Sequence, residues 1–445
     1  MLAGTTSGVG KTSITCAIIH GIKKKGYSVQ SFKVGPDFID PSYLSSVSGK
    51  PARNLDPWLM GTTGIVKIFV KNSDSDFSVI EGVMGYYDGF SGDSNHSSTH
   101  HVASILKTPV ILVLDTSKTA RSIAATALGF VKFHKNSRIS GFILNKIGSK
   151  KHENLCRQAL SSLNIPIVGV IPRNSDFIME SRHLGLIPVS EQKQLQSKIS
   201  SIAKTMSGFI DIGKIIQIGN KVPFFDSIRK EKNPKQKTTI AVALDESFNF
   251  YYQDNLDALK KGGAKMEFFS PVSDFEVPDC DGIYIGGGFP EVMGSALEKN
   301  SRMQKNIKKL AESGMPIYAE CGGLMYLTKS IDCGSKKFKM IGLYDATTKM
   351  QKRLKLNYTK ASIVRDCLIA KTTSTIQGHE FHFSELESVS KDSKFSYDLS
   401  IGIGIKNQKD GLMQYNTLAS YMHLHFARPG IARNFVQNCI KHSRR

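Results

Sequence analysis

The sequence has no apolar run long enough to span a bilayer. Its N-terminus also lacks the charged-then-apolar pattern of a secretory signal peptide. These two absences favour a soluble protein, and a cytosolic location is the resulting expectation. With 445 residues, 40% of them hydrophobic and 22% charged, the chain can bury substantial cores, and its length is typical of two or three domains.

Closely spaced cysteine pairs are also missing. The seven cysteines are scattered and none forms a Cys-X-X-Cys pair, which argues against a zinc ribbon. An odd number of cysteines in a chain without a secretory signal argues against a disulfide framework. Each cysteine is therefore judged by its own surroundings, either as a small apolar residue or as a nucleophile.

Acidic residues are in short supply, since 38 Asp and Glu face 59 Lys and Arg and give a net charge of +21. Such a balance can indicate nucleic-acid binding. The basic residues are spread along the chain, however, and neither a zinc finger nor an RNP motif is present. A lysine-rich surface is the favoured interpretation, and attraction to polyanionic small molecules is a second one.

Short apolar runs alternate with amphipathic stretches through the first half of the chain. This rhythm predicts an α/β fold with a parallel sheet covered by helices on both faces. Strands are predicted at 77–83, 109–114, 139–144 and 167–171, and helices at 12–25, 117–134 and 151–163.

A polar, basic segment at 226–239 interrupts this pattern and has the composition of an exposed linker. A second alternating series follows, with predicted strands at 240–244, 282–285 and 315–319. The chain is therefore predicted to contain two α/β domains, 1–223 and 239–445, joined by a linker at 224–238.

A phosphate-binding loop is predicted at residues 4–12, GTTSGVGKT. It has one residue more than a strict Walker A motif between the first glycine and the Gly-Lys pair. Gly8 and Gly10 allow backbone N–H groups to converge on phosphate oxygens, Lys11 can reach the terminal phosphates, and the Thr12 hydroxyl can bind Mg²⁺. A glycine-rich turn before an ordinary helix is the less favoured alternative.

Only residues 1–3 precede this loop, whereas a P-loop normally follows a full buried strand. Two explanations remain open. Either the first strand is very short, or the true start of the chain lies upstream.

Acidic residues follow two of the expected strands. Glu81 and Asp88 lie in VIEGVMGYYDG, and Glu81 stands where a Walker B acid would bind Mg²⁺. Asp37 and Asp40 lie in KVGPDFIDP after Lys33. Glu81 could instead be a loop or helix-cap acid, the two aspartates could be turn formers beside proline, and Lys33 could bind phosphate or be solvated.

The segment PIYAECGGL at 316–324 has the layout of a nucleophile elbow, in which a strand, a sharp turn and a helix follow one another. Cys321 is the predicted nucleophile, and a helix N-terminus is expected to lower its pKa. The N–H of Gly322 is a candidate oxyanion donor. Gly287 and Gly288 in IGGGFPE offer a second donor, unless that loop is a plain strand–helix turn.

Two histidines in YMHLHF alternate as on a strand and would lie on one face. His423 is the predicted base for Cys321 and His425 its orienting partner, with two half-buried structural histidines as the alternative. In GHEFHFS, at 378–384, the histidines are too close for a zinc-protease helix, so the segment is predicted to be a strand. Substrate contact and packing are both open for it.

These motifs, together with ESRHLGL at 180–186, occur in an order that resembles the cobyrinic acid a,c-diamide synthases of cobalamin biosynthesis. The resemblance covers nearly the whole chain. KVGPDFIDP and GHEFHFS distinguish it from cobyric acid synthase, a relative that amidates other side chains of the same ring. The lengthened P-loop is similar to that of dethiobiotin synthetase.

The resemblance implies a dethiobiotin-synthetase-like P-loop domain followed by a class I glutamine amidotransferase domain. ATP, with Mg²⁺, would phosphorylate the a- and c-acetate carboxylates of the corrin ring, and L-glutamine hydrolysed at Cys321 would supply ammonia for two amides. Asp37, Asp40, Glu81 and Asp88 would surround the nucleotide and the substrate carboxylate. His425 would replace the usual triad glutamate.

Two other functions remain in competition with this one. The first is the same amidation of nickel-sirohydrochlorin on the way to coenzyme F430. The second is a P-loop regulatory or partitioning ATPase with a degenerate cysteine domain. The expected partner is a corrinoid polycarboxylate, with no nucleic acid or membrane partner. The oligomeric state is open, and a homodimer is one candidate.

Overall fold

The described part of the chain forms two compact units. The structure, a computed structural model, describes residues 1–177, 189–222, 225 and 234–444. Nearly all described residues up to 225 belong to the first unit, and those from 234 onward belong to the second. The ESRHLGL segment and most of the predicted linker at 224–238 lie outside the described residues, so the predicted domain boundaries stay a prediction.

The first unit contains a parallel sheet with the strand order β3-β2-β4-β1-β5-β6-β7. The strands are β1 Leu2–Gly4, β2 Val29–Val34, β3 Arg53–Leu55, β4 Phe77–Glu81, β5 Val110–Asp115, β6 Ile139–Ile147 and β7 Ile167–Pro172. The helices are α1 Lys11–Lys24, α2 Asp40–Ser48, α3 Pro57–Lys71, α4 Thr99–Ile105, α5 Ser122–Lys132, α6 Lys150–Leu160, α7 Val189–Ser207 and α8 Ile212–Gly219.

Both faces of this sheet are covered by helices. On β5, Leu112 packs in a cluster with Ala127 of α5, whereas the next residue, Val113, packs in a cluster with Ile14 of α1. Successive side chains of a strand point to opposite faces. The predicted α/β fold with a doubly covered parallel sheet is therefore confirmed.

The predicted helix at 117–134 begins five residues later, at Ser122. The cause is a turn in which Asp115 Oδ1 accepts hydrogen bonds from the N–H and the hydroxyl of Ser117, at 2.8 and 2.6 Å. Lys118 then adopts a φ of 60°, which a right-handed helix does not include. A side chain that bonds its own backbone competes with helix formation in this way.

The first strand is short, and an apolar cavity of about 720 Å³ lies at its amino end. Its lining includes Met1, Phe77, Val79 and Ile111, at the amino ends of β1, β4 and β5. The α-amino group of Met1 is buried and donates to Pro109 O at 2.9 Å, and burial lowers its pKa to about 5. The phosphate loop follows the opposite end of β1, so this cavity is not the phosphate site.

The second unit contains a mixed sheet with the order β13-β12-β14-β16-β17-β18-β11-β10-β8-β9, and β15 pairs with β14 and β19. Its strands are β8 Thr238–Ala243, β9 Ala264–Phe269, β10 Gly282–Ile285, β11 Ile317–Glu320, β12 Ser330–Asp332, β13 Lys337–Lys339, β14 Thr347–Ile363, β15 Thr375–Glu387, β16 Lys394–Ile401, β17 Lys409–Gln414, β18 Thr417–Ser420 and β19 His423–Leu424. Its helices are α9 Gln253–Lys261, α10 Gly294–Lys299, α11 Ser301–Glu312, α12 Gly322–Leu327 and α13 Ile431–Ser443.

The sheet topology gathers the predicted site segments at strand ends. In the first unit β2, β4 and β1 are neighbours, so the segments after Val34, Glu81 and Gly4 leave the same edge. In the second unit β10, β11 and β18 are parallel neighbours. The same edge of the sheet is therefore left by the segments that follow them, which are the IGGGFPE loop, the cysteine elbow and the YMHLHF segment. Ligands of open α/β sheets bind at this edge.

The strand predicted across YMHLHF is wrong in its length. Only His423 and Leu424 form a strand, β19, which pairs antiparallel with β15. The alternation of side chains is therefore not continued to His425 by a strand. The strand predicted for GHEFHFS is confirmed within β15, and it places His379 opposite His423. Among the described helices, none is long and apolar enough to cross a membrane.

Candidate active site

The phosphate loop has the backbone that the glycines predict. Gly8 and Gly10 have φ values of 75° and 91°, in the left-handed region that favours glycine. A Cβ on Gly10 would lie 2.6 Å from the side-chain nitrogen of Asn145, which donates to Val9 O at 2.8 Å. Asn145 therefore fixes the loop from β6. Sequence reasoning missed this contact because it joins residues far apart in the chain.

Lys11 lies over this loop. Its Nζ donates to Thr6 O at 3.1 Å and to Met84 O at 2.6 Å. Burial lowers the pKa of Lys11 to about 8, and the nearby ammonium of Lys33 lowers it further. Because burial disfavours the charge, an anionic group placed beside Lys11 would be strongly attracted. The position suits a phosphate.

Lys33 connects the acidic residues that the sequence placed after β2 and β4. Its buried Nζ lies 2.5 Å from Asp40 Oδ2, 2.8 Å from Glu81 Oε1 and 3.8 Å from Asp37 Oδ2. Burial opposes the charge of Lys33, but the three carboxylates outweigh it and raise its pKa. Lys33 is therefore not a solvated lysine.

Three carboxylates share this one ammonium. Burial raises the pKa of Asp37 to about 7, and the charge of Asp40 adds to the effect. Burial also raises the pKa of Glu81 to about 7 against the opposing effect of Lys33. Because the charged forms of Asp37 and Glu81 are disfavoured there, a cation bound beside them would be stabilised by their ionisation.

Glu81 and Thr12 meet at the start of α1. The Thr12 hydroxyl donates to Glu81 Oε1 at 2.9 Å. Glu81 Oε2 is buried and has no hydrogen-bond partner among the residues that the structure describes. Such an orphaned oxygen beside a hydroxyl fits a hard divalent cation such as Mg²⁺.

The protein alone does not complete a metal site there. Across the described ranges, no three His, Cys, Asp or Glu side chains form a group that could hold a metal ion. Mg²⁺ commonly keeps only one or two protein carboxylates and takes its other ligands from substrate phosphates and water. Thr12 and Glu81 would hold the ion together with phosphate oxygens.

Asp37 and Asp88 also stabilise turns. Asp37 Oδ1 accepts from the N–H of Ile39 at 2.8 Å and of Asp40 at 3.1 Å, while its other oxygen faces Lys33. Asp88 Oδ2 accepts from Gly85 N at 2.9 Å. Asp37 therefore both forms a turn and belongs to the acidic cluster. Its Oδ1 makes the turn, and its Oδ2 faces Lys33.

The predicted strand–turn–helix layout is present around Cys321. β11 ends at Glu320, Cys321 adopts φ 48° and ψ −99°, and α12 begins at Gly322. An L-residue at this φ is strained, as at a nucleophile elbow. Gly323 is needed for packing, since a Cβ there would lie 2.4 Å from Ile285 O.

The pKa of the thiol differs from the expectation. Burial raises the pKa of Cys321, and the carboxylate of Glu291 adds to this effect. The helix that follows has only six residues, so it cannot outweigh burial. A thiolate at Cys321 therefore needs a nearby base to accept the proton.

The IGGGFPE loop lies against the elbow. Gly288 has a φ of 153°, and a Cβ on it would lie 2.0 Å from Ser247 O. A Cβ on Gly322 would lie 3.0 Å from Gly288 N. Gly288 N therefore lies next to Gly322, and two oxyanion donors would have to be neighbours in this way.

His423 is the first residue of β19 and lies against the IGGGFPE loop. It is fully buried, and a Cβ on Gly287 would lie 2.4 Å from its Cε1 atom. Its ring is stacked on that of His379 with centroids 5.0 Å apart. Its Nδ1 lies 3.6 Å from Glu320 Oε2.

His425 faces other residues. Its ring centroid lies 4.8 Å from that of Tyr252, and its Nδ1 accepts from Ala427 N at 3.2 Å. The carboxylate near His423 is that of Glu320, which the sequence did not single out as a site residue. The available signal was a carboxylate that ends a buried strand, which is the same signal that singled out Glu81.

The GHEFHFS segment forms a wall of the cysteine site. The carbonyl oxygen of Phe381 lies 3.5 Å from Cys321 Sγ. Glu380 accepts from the N–H groups of Ile403 and Gly404, at 2.8 and 3.1 Å, which fixes that turn. His382 stacks on Tyr421 with centroids 3.8 Å apart. Packing accounts for His382, whereas Phe381 borders the nucleophile.

Two family models match the chain. Residues 1–187 match the CobQ/CobB/MinD/ParA nucleotide binding domain. Residues 239–430 match the CobB/CobQ-like glutamine amidotransferase domain. The first match contains the phosphate loop and the acidic cluster, and the second contains the cysteine elbow and His423.

Three curated relatives are named cobyrinate a,c-diamide synthase. The protein of Methanocaldococcus jannaschii is 43% identical over 444 residues, covering 98% of this chain and 98% of the relative. That of Archaeoglobus fulgidus is 39% identical over 448 residues, covering 99% and 97%. That of Methanosarcina barkeri is 38% identical over 477 residues, covering 100% and 95%. The similarity extends over both units.

Proposed function

The chain belongs to the family of cobyrinate a,c-diamide synthases, and on that premise we propose that it amidates the a- and c-acetate carboxylates of cobyrinic acid with ATP and glutamine. It is an amido-ligase with a nucleotide-binding domain and a glutamine amidotransferase domain. The observation that carries the proposal is that one chain holds a Thr12–Glu81 pair at a phosphate loop and a strained cysteine at an elbow. The glycine loop packed against that elbow also touches the buried His423.

The first half of the reaction takes place at the phosphate loop. The amides of Gly8 and Gly10 and the ammonium of Lys11 bind the phosphates of ATP. Thr12 and Glu81 would hold Mg²⁺, which would neutralise part of the phosphate charge. A substrate carboxylate oxygen attacks the γ-phosphorus, the bond to the β-phosphate oxygen breaks, and ADP leaves. The product is an acyl phosphate.

The second half takes place at the cysteine elbow. His423 accepts the proton of Cys321, and the thiolate attacks the carboxamide carbon of glutamine. The N–H groups of Gly288 and Gly322 stabilise the oxyanion. His423 then protonates the departing ammonia, and water releases glutamate from the thioester.

The two halves join when ammonia attacks the acyl phosphate. The new C–N bond forms as phosphate leaves, and the nitrogen loses a proton. Repeating the sequence on the second acetate gives the diamide. The three carboxylates around Lys33 meet the start of α1 through the hydrogen bond between Glu81 and Thr12, where they would help to hold the metal near the phosphates and the reacting carboxylate.

The direct test is to incubate the purified chain with cobyrinic acid, ATP, Mg²⁺ and glutamine, and to count amides by mass spectrometry. We expect two amides per ring, and none without ATP. Nickel-sirohydrochlorin serves as the competing substrate. If it is amidated and cobyrinic acid is not, the proposed substrate is wrong although the chemistry is retained.

The acyl phosphate has its own test. Cobyrinic acid labelled with ¹⁸O in its carboxylates is expected to transfer ¹⁸O to the phosphate released, because the attacking oxygen stays with phosphorus when ammonia displaces it. Mass spectrometry of the phosphate measures this transfer. Amidation with unlabelled phosphate would exclude the intermediate.

Glu81→Gln is expected to lower amidation by about 100-fold or more with either glutamine or ammonia, since it removes a charge that faces the metal and the phosphates. The concentration of Mg²⁺ needed for half-maximal rate should rise. Steady-state rates across a Mg²⁺ series measure both effects. Asp74→Asn, an exposed acid of the same unit, is the control. A wild-type Mg²⁺ dependence in Glu81→Gln would contradict the assignment.

Gly287→Ala is expected to slow glutamine hydrolysis at least tenfold, on the order of what overpacking of about 1–3 kcal/mol produces. The added methyl group would stand 2.4 Å from Cε1 of His423 and push the ring away. A glutaminase assay beside an assay driven by free ammonia measures the effect, and the second rate should persist. Gly129→Ala, where a Cβ meets nothing within 4 Å, is the matched control.

A further inference from the structure

We propose that Glu320 is the positioning carboxylate of the cysteine site and holds His423 from the residue directly before the nucleophile. This inference rests on the proposed glutaminase reaction at Cys321. It assigns to Glu320 the orienting role for which the sequence suggested His425.

The geometry brings the carboxylate to the imidazole. Glu320 is the last residue of β11 and is 2% exposed, while His423 is fully buried. The distance from Glu320 Oε2 to His423 Nδ1 is 3.6 Å. Catalytic hydrogen bonds are often long before substrate binds and shorten in the reacting complex.

The carboxylate is itself held in place. Glu320 Oε1 accepts from the hydroxyl of Tyr318 at 2.6 Å and from the N–H of Leu424 at 3.1 Å. Glu320 Oε2 accepts from the hydroxyl of Tyr284 at 3.1 Å. Because Leu424 follows His423 in β19, the carboxylate that lies beside the ring of the base also holds the adjoining backbone.

The charge of Glu320 has a function when His423 is protonated. On accepting the proton of Cys321, His423 becomes a cation in a buried site, which is costly without a counter-charge. Glu320 supplies it. His379 stacks on the ring of His423, and its pKa is lowered well below its ordinary value by burial and by His423 and His425. His379 therefore stays neutral.

His425 is less suited to this role. Its Nδ1 accepts from Ala427 N, and its ring lies against Tyr252. An imidazole whose Nδ1 accepts a hydrogen bond carries no proton on that nitrogen and is uncharged. It therefore stabilises a neighbouring cation less than a carboxylate does.

The experiment compares Glu320→Gln, Glu320→Asp and His425→Asn in the full-length protein. Glutamine hydrolysis is measured against pH. Glu320→Gln is expected to lower kcat about 100-fold, with KM for glutamine changed by less than about threefold. The acid limb of kcat/KM should move at least one pH unit lower, because Glu320→Gln removes the negative charge that faces the protonated ring of His423. Glu320→Asp should keep the limb in place, and His425→Asn should leave it unshifted.

Asp410→Asn is the matched control for loss of a buried carboxylate. Asp410 is buried and accepts hydrogen bonds from Tyr421 N and Met422 N, at 3.1 and 3.2 Å. These two residues directly precede His423 in the sequence. Loss of the Asp410 carboxylate would disturb this backbone without removing the charge beside His423, so the acid limb should not move. Amidation driven by free ammonia checks the fold of each variant.

Several outcomes would overturn the inference. One is Glu320→Gln with a wild-type acid limb and a kcat within about threefold of wild type, while Cys321→Ala is inactive. Another is a shifted limb in His425→Asn instead. If Glu320→Gln does not fold, Glu320→Asp provides the test. A shifted acid limb in that variant, which keeps the carboxylate charge, would contradict the role of this charge beside His423. Glutamine hydrolysis that persists in Cys321→Ala would reject the proposed function itself.

Discussion

Cys321→Ala is expected to abolish amidation from glutamine while amidation from free ammonia persists. The thiol is the attacking group of the proposed glutaminase, and its removal leaves no nucleophile at the strained elbow. We expect the glutamine-dependent rate to fall by at least about 1,000-fold, the order seen when a covalent nucleophile is deleted. The nucleotide site uses other residues, so ammonia added to the solution should bypass the defect.

Parallel assays with glutamine and with ammonium chloride at saturating ATP measure the two rates. Cys367→Ala is the control, since Cys367 is a half-buried cysteine whose thiol donates to Ala370 O, three residues along the chain, at 3.5 Å. The two-site scheme is wrong if Cys321→Ala loses the ammonia-driven rate as well while its circular dichroism and melting temperature match the wild type.

Lys11→Ala is expected to stop amidation from both nitrogen sources. Its ammonium is buried over the phosphate loop between two carbonyl oxygens, where it can neutralise the terminal phosphates. Removing this charge should lower the rate by about 1,000-fold or more, on the order of other groups that stabilise a transferring phosphoryl. Glutamine and ammonia should be affected equally because both depend on the activated carboxylate.

The rate of ADP release in the presence of cobyrinic acid measures this effect. Lys24→Ala, an exposed lysine in the last turn of the same helix, removes an equal charge away from the loop. Unchanged turnover in Lys11→Ala would contradict the placement of the phosphates.

The sequence pattern predicted those features of the fold and site that depend on residues close together in the chain. The glycines of the phosphate loop and of the elbow occur where the backbone needs left-handed or crowded conformations. Glu81 could be singled out because a buried strand rarely ends in a carboxylate without a purpose. The seven strands predicted from apolar runs agree with the structure to within about three residues, since burial on both faces leaves a clear apolar signature.

Contacts between distant segments could not be predicted. The strand β19 pairs His423 with His379 across 44 residues of chain, and no local pattern encodes that register. Lys33 could not be distinguished from a solvated lysine until Asp40 and Glu81 were seen around it. Whether Glu320 or His425 orients His423 likewise depends on contacts of the imidazole rings that the sequence does not show.

Asp37 illustrates a second limit. Its sequence context beside proline predicted a turn former, and its position after a strand predicted a site acid. Both descriptions apply, because a carboxylate has two oxygens and each meets a different partner. A residue pattern alone cannot divide one side chain between two roles.

The transfer of nitrogen from glutamine to the corrin carboxylate is tested most directly by isotope counting. The wild-type protein, cobyrinic acid, ATP and Mg²⁺ are supplied with glutamine labelled with ¹⁵N in its side-chain amide or, as the control, in its α-amino group. We expect two ¹⁵N atoms in each product from the first glutamine and none from the second. A diamide without ¹⁵N from amide-labelled glutamine would contradict the transfer.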